Sequence, residues 1–274
     1  MKLTVLADNN TIIDHYCLGE PAVSYYIEDG DTRLLLDVGY SDVFIKNAKL
    51  LGIDLNAVSK IAISHGHNDH TRGFEFLRHE IALDKVQVVA HPDAFIPRKE
   101  GGRDIGSPLS RQQLESLCQL TLTKTPLQLT PNITFLGEIP ELNTFEKRRG
   151  IGVLYDGDQG DDHAEDDFVW DDSALAYRGK DGLFIITGCS HSGICNIIEY
   201  ATQVCGDERV AGVIGGFHLL KVSPQLTHTI DYFQQKNIRQ LYPCHCVSFA
   251  AKALIHQSIP VHEVGVGMCI EIDW

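Results

Sequence analysis

The sequence predicts an α/β protein in which helices cover the outside of sheets, and three observations carry that expectation. Strand-like segments come in a block near the start, whereas the second half alternates strand with helix. Histidine recurs where predicted strands end, at His65, His191, His218 and His245, and open α/β architectures gather ligands at those carboxyl ends. The chain, 274 residues with 43% hydrophobic and 22% charged residues, is long enough to bury a full core, as one large domain or two modest ones.

In chain order, "KLTVLAD", "AVSYYIED" and "TRLLLDVG" read as strands, being short, β-branched or aromatic, and bounded by Gly or Asp turn signals. "SDVFIKNAKLLG" reads as a helix with Ser41 as N-cap and Gly52 as its stop. "KIAISH" and "QVVAH" are further strands, and "NDHTRGFEFLRHE" between them is a loop entering a helix. Later, "LFIITGCSH", "RVAGVIGGFH" and "IRQLYPCH" are strands, each followed by a helix: "SGICNIIEYATQV", "PQLTHTIDYFQQK" and "VSFAAKALIHQ". "GMCIEI" is the final strand. A faint likeness between "IAISHGH" and "IITGCSH" suggests two related halves facing each other.

Two segments break the rhythm. "IPRKEGGRDIGSP" is rich in Gly, Pro and basic residues and reads as a loop with at most fragmentary structure. "YDGDQGDDHAEDDFVWDD" holds nine carboxylates and reads as a solvated surface loop. A formal net charge of −14 argues against a general nucleic-acid binder, while leaving room for a small anionic substrate in a local basic pocket or at a metal. "MKLTVLADNN" lacks the features of a secretory signal, and no apolar run reaches membrane-span length. The eight scattered cysteines then read as reduced thiols, and the expectation is a cytoplasmic protein off the membrane.

The chemistry concentrates in "AISHGHNDHTRGF", where three histidines and an aspartate fall within six residues directly after a strand. His65 and His67 flank Gly66, and alternate positions of an extended segment point the same way. Gly66 and the turn-forming Asn68 let the chain bend, so that Asp69 and His70 aim at a second point nearby. Imidazoles with a carboxylate suit zinc, iron or manganese better than magnesium or calcium, which prefer all-oxygen shells.

H-x-H-x-D-H after a strand is the signature of the metallo-β-lactamase fold, and the chain resembles that superfamily over nearly its whole length, with His65, His67, Asp69 and His70 as the motif. The resemblance implies a four-layer αβ/βα sandwich, α/β in class, with two metals at the edge between the sheets. It implies a single domain over 1–274 with loop insertions near 97–108 and 156–172. Asp37, in "LLLDVG", stands where the family has an early strand ending in an Asp–x–Gly turn. The family usually supplies a further histidine and then a strand ending "TGD", whose Asp bridges the metals. Here that strand reads "IITGCSH", with Cys189 in the Asp position and His191 two residues on. His163, in the acidic run, is the upstream histidine at a similar distance, and His245 in "YPCHC" matches the last family histidine.

The ligand set implied is His65, His67, Asp69, His70, His191 and His245, with zinc, one or two ions, as the cofactor and iron or manganese as substitutes. His191 is favoured over Cys189 as the ligand because it continues a series of strand-end histidines, leaving Cys189, like Asp37, as a supporting group or alternative ligand. The segments "TGCSHSGICNII", "GGFHL" and "PCHC", with "LTVLADNNT" and "HPDAF", resemble the branch named 7,8-dihydropterin-6-methyl-4-(β-D-ribofuranosyl)aminobenzene-5′-phosphate synthase. By analogy with ribonuclease Z, His218 is a candidate general acid or substrate-phosphate contact, beside Asp69 as the other catalytic candidate. Arg98, Lys99 and Arg103, in the Gly-rich segment, are candidates to close over an anionic substrate.

The reading that follows is a hydrolase of a small, phosphorylated substrate, using hydroxide activated at a one- or two-metal centre. Two alternatives stand beside it: a synthase-type transferase, and a metal-binding sensor or scaffold that keeps the fold without turnover. Partners are expected to be a small-molecule substrate, with neither nucleic acid nor membrane, and the oligomeric state stays open.

Overall fold

A computed structural model describes residues 1–155 and 164–273. Its strands form three sheets. The first has seven strands in the order β17 (Cys269–Glu271), β1 (Lys2–Ala7), β2 (Ser24–Asp29), β3 (Thr32–Leu36), β4 (Lys60–Ala62), β5 (Gln87–Ala90) and β8 (Gln119–Leu122). The second has six: β16 (Gln240–Pro243), β15 (Val210–Gly215), β14 (Gly182–Thr187), β13 (Ala174–Gly179), β10 (Ile133–Phe135) and β9 (Leu127–Gln128). A small third sheet runs β12 (Glu165–Asp166), β11 (Val153–Leu154), β6 (Arg98–Glu100) and β7 (Arg103–Asp104).

Layering follows from which faces are apolar. Leu3, Val5, Tyr25, Leu34 and Leu36 of the first sheet meet Phe135, Tyr177, Phe184 and Ile186 of the second in one buried cluster between the sheets. The alternate residues of the first sheet, among them Leu6, Leu35 and Val88, pack outward with α1 (Val43–Leu50), α3 (Phe74–Leu77) and α4 (Arg111–Leu117), after the single turn α2 (Asn68–Thr71). On the far side Leu183, Ile185 and Val213 pack with α5 (Ile194–Cys205), α6 (Pro224–Gln235) and α7 (Phe249–Ser258). β14 is therefore buried along its whole length, which is why "GLFIIT" is a continuous apolar run rather than an alternating one. Each fully buried aliphatic side chain of this kind contributes about 1.5–3 kcal/mol. The result is the four-layer αβ/βα sandwich expected.

Direction within the sheets places the site. β3, β4, β5 and β8 run parallel, as do β14, β15 and β16. β1 is antiparallel to β2, and β2 to β3, so β1 ends at the same edge as β3 and β4. "IAISHGH" and "IITGCSH" leave β4 and β14, one in each sheet.

Several expectations change. The strands are shorter than read: β14 stops at Thr187, β15 at Gly215 and β16 at Pro243, so His191, His218 and His245 sit in the loops beyond them. Helix α1 is capped at Asp42, not Ser41, whose hydroxyl accepts the Val43 N–H at 3.2 Å and donates to Glu20 at 2.6 Å. "IPRKEGGRDIGSP" is not an irregular loop, since β6 and β7 pair through it as a hairpin. The acidic run is not simply solvated: Asp167, Asp171 and Asp172 are buried. Residues 156–163 of that run, His163 included, lie outside the described residues.

Candidate metal centre

The loops leaving β1, β3, β4, β14, β15 and β16 converge at one edge of the sandwich. After β4 the chain turns sharply at Gly66, where a Cβ would come within 1.9 Å of the Ala94 carbonyl oxygen. Across the site Gly188 is equally confined, its added Cβ falling 2.2 Å from Ser64 Oγ. Asp37, Ser190, His218 and His245 all hold left-handed backbone, with φ between 48° and 60°, a strain that proteins concentrate where a side chain must be aimed.

Two neighbouring groups of donors result. His65 Nε2 and His67 Nδ1 face each other at 2.9 Å, and the His191 ring centroid lies 4.8 and 5.0 Å from theirs. Asp69 Oδ2 lies 3.5 Å from His70 Nε2 and 3.3 Å from His245 Nε2. Cys189 Sγ stands between the groups, 3.3 Å from His70 Nε2. His65, Cys189 and His191 offer ligand atoms all within 4.8 Å of one another, and so do His70, Cys189 and His245. Ligands about 2.0–2.3 Å from a tetrahedral ion are roughly 3.3–3.8 Å apart, the spacing that most of these atoms approach.

The outward nitrogens are already engaged. His70 Nδ1 donates to Asp37 Oδ2 at 2.7 Å, and the same carboxylate accepts the Ser64 N–H and hydroxyl at 2.7 Å each. His65 Nδ1 pairs with Ser64 Oγ at 3.0 Å, and His245 Nδ1 with Asn9 Oδ1 at 3.0 Å. Such contacts fix the ring and the tautomer and turn Nε2 inward among the other donors. His191 Nε2 is buried with no hydrogen-bond partner among the described residues, as is His67 Nε2. Burial pushes His65 and His191 well below the usual imidazole range, with neighbouring histidines adding to it. His67 falls to about 4 through burial and the nearby Arg98 charge. Neutral imidazoles with an unused nitrogen are what metal ligation requires. Burial likewise works against a charge on His70, but Asp69 and Asp37 outweigh it and hold His70 well above the usual range. Burial and the adjacent Cys246 thiol push Cys189 up, so Cys189 and His70 must each lose a proton on taking a cation. The residues present fit a metal.

The structure thus gathers His65, His67, Asp69, His70, His191 and His245 at one edge. Cys189 Sγ belongs to both donor groups, and His191 stands with it in the first. Asp37 is no alternative ligand: fully buried, it holds His70 and Ser64. His218 stands beside His191 with ring centroids 4.4 Å apart, outside both groups.

Arg98 is also corrected. It is 1% exposed, its Nη1 and Nη2 each 3.2 Å from the Asp171 carboxylate and Nη1 3.2 Å from Asp167, so it cannot reach a substrate. Asp171 in turn accepts the Gly66 N–H at 2.7 Å, so the pair buttresses the histidine turn. Lys99 places Nζ over the Tyr155 ring, 4.3 Å from its centroid, whereas Arg103 is exposed at the mouth of the cleft beside Glu100 and Asp104.

Sequence reasoning missed Asp8 and Asn9, which hold the His245 N–H at 2.9 Å and its ring. The signal was there: "ADN" stands at a strand end, as the histidines do. It also missed Asp172, which accepts the Ser192 N–H at 2.9 Å and steadies the His191 loop. Nothing local separates that aspartate from the acidic run around it.

Comparison with known proteins bears on these features. The sequence model of the Metallo-beta-lactamase superfamily matches residues 18–201. An uncharacterized protein of Methanocaldococcus jannaschii is 30% identical over 257 residues, covering 93% of this chain and 94% of that one. The 7,8-dihydropterin-6-methyl-4-(beta-D-ribofuranosyl)-aminobenzene-5'-phosphate synthase of the same organism is 32% identical over 230 residues, 80% of this chain and 77% of its own. Among solved structures, a metal-dependent hydrolase of the beta-lactamase superfamily superposes with a TM-score of 0.84 at 26% identity, covering 100% of both chains.

Proposed function

The chain belongs to the metallo-beta-lactamase superfamily, and from that premise we propose that it is a metal-dependent hydrolase of a small phosphorylated substrate. The observation that carries the reading is the pair of donor groups sharing Cys189, one with His65 and His191, the other with His70 and His245. His67 and Asp69 stand beside them. A thiolate shared in this way favours zinc or iron over harder cations. A metal bound by these residues would supply Lewis acidity and would lower the pKa of water toward neutrality.

The chain's own side chains do the rest. Asp37, Ser64 and Asn9 hold His70, His65 and His245 in the tautomers that keep Nε2 directed inward. His218 is kept below the usual imidazole range by burial and by His245, so it is neutral near pH 7. A neutral imidazole offers one N–H to a substrate oxygen and one lone pair to a proton. His218 therefore serves as phosphate contact and proton acceptor rather than as a resident general acid. Arg103 stands at the cleft mouth to meet an incoming anion.

A second reading is a synthase-type transfer, in which an aromatic carbon or nitrogen displaces a leaving group. It is supported by the 32% identity to the dihydropterin-linked synthase. Both readings need the metals. Elemental analysis should find one to two transition-metal ions per chain. Cys189→Ser should weaken retention of both and His191→Ala of one. A metal-loaded protein that turns over phosphodiesters but not pterin pyrophosphates selects the hydrolase, and the reverse selects the synthase. Finding no metal after supplemented expression removes both.

A further inference from the structure

Past His218 the cleft continues into a second lobe of about 370 Å³. His191 and His218 wall it on the donor side, and Lys147, Arg149 and Lys221 contribute to the rest of its lining. Among the described residues no carboxylate lines it, although the chain has 37 acidic side chains against 23 basic ones. Ile151, His191 and His218 line both this lobe and the donor cleft, so the two are continuous.

The cations are placed by a built segment, not scattered on a surface. Glu146 is buried and accepts the N–H groups of Cys195 at 3.0 Å and Asn196 at 2.9 Å. It caps α5, whose N-cap residue Gly193 has no side chain to do so. Arg148 is also buried, donating to the Ile139 carbonyl at 2.9 Å and to that of Val169. With Glu146 and Arg148 fastened inward, Lys147 and Arg149 fall on the opposite, exposed side, against the lobe. Lys147 is engaged by Glu141 at 2.8 Å, whereas Arg149 and Lys221 make no ion pair among the described residues.

We propose that this lobe binds a terminal phosphate of the substrate, a phosphomonoester remote from the bond that reacts. The proposal rests on the reading of the donor cleft as a place where substrate is processed, and it adds where the substrate's other end lies. A phosphomonoester carries about −1.5 to −2 charges at pH 7 and three acceptor oxygens, a match for two unpaired cations that a singly charged carboxylate leaves in excess. The arginine fork of Arg149 suits two of those oxygens at once. A substrate lying across His218 reaches the lobe and the donor groups together.

The test is calorimetric titration of the purified protein with inorganic phosphate and, separately, acetate, with metal content measured on each sample. Phosphate should bind the parent protein and acetate bind at least tenfold more weakly. Arg149→Glu with Lys221→Glu should weaken phosphate at least tenfold at unchanged metal content. Lys46→Glu, an exposed cation on α1 away from both clefts, should shift it less than threefold. His65→Ala should lose metal and keep the phosphate site, so that loss of the centre and loss of the lobe are seen separately. Phosphate affinity that is absent in the parent, unchanged in the Arg149/Lys221 double variant, or lost only with the metal would overturn the proposal.

Discussion

At the residue scale the site is a set of imidazoles held neutral by burial next to one held charged. His67 shows what that costs. An unfolded chain protonates it near pH 6.5, whereas the folded, metal-free protein resists until about 4. The unfolded state therefore binds more protons across that window, and stability falls as pH falls through it, by on the order of 3 kcal/mol for a shift of this size. His65 and His191, shifted the same way, add to the loss. His70 acts in the opposite sense: its raised pKa gives stability that is full below 6.5 and fades only as pH rises through the raised value. Between pH 6.5 and 4 it cannot offset the others. Urea denaturation of chelated protein should accordingly give a lower midpoint at pH 4.5 than at pH 7, and His67→Gln should shrink the difference. Equal midpoints would show that these rings are not held neutral.

At the scale of elements, the hairpin of β6 and β7 carries one fully buried arginine. Arg98 neutralises Asp171 and Asp167, and Asp171 ties the turn at Gly66 that presents His65 and His67. Burial works against the Arg98 charge, but the two carboxylates outweigh it and hold the guanidinium firmly protonated. Removing one partner of a buried pair leaves the other charge stranded, which costs about 3–5 kcal/mol. Arg98→Ala should lower the unfolding free energy by that order in chemical denaturation. Arg103→Ala, exposed on the same hairpin, should change it by about 0.5 kcal/mol or less. A similar small change for both would mean that the hairpin does not buttress the site.

At the scale of the molecule the donors come from both sheets: His65, His67, Asp69 and His70 follow β4, while Cys189, His191 and His245 follow β14 and β16. A cation held there ties the two halves across their shared edge, so its binding energy adds to folding. Ligand at a hundredfold excess over its dissociation constant contributes about 2.7 kcal/mol. Chelation should lower the calorimetric melting temperature by roughly 5–10 °C, restored by added zinc. An unchanged melting temperature would sever the centre from the fold. Among the described residues no helix is long and apolar enough to cross a membrane, and all eight cysteines are free thiols.

Features whose cause is local are legible in the chain alone. Alternation of strand and helix follows from the period of apolar residues, and the facing of His65 with His67 follows from two residues flanking a glycine. Burial of Asp171 against Arg98, 73 residues away, was decided only when β6 packed against the end of the acidic run. So was the place of Cys189, which no spacing rule could settle, because His191 lies two residues on and both reach the same edge. Lys147, Arg149 and Lys221 carry no local signal, since each is an ordinary surface cation until Glu146 and Arg148 are fastened inward and α6 is set beside them. Local backbone geometry fixes neighbours within a turn or a strand, whereas a charge meets its distant partner only where packed sheets leave it no water to turn to.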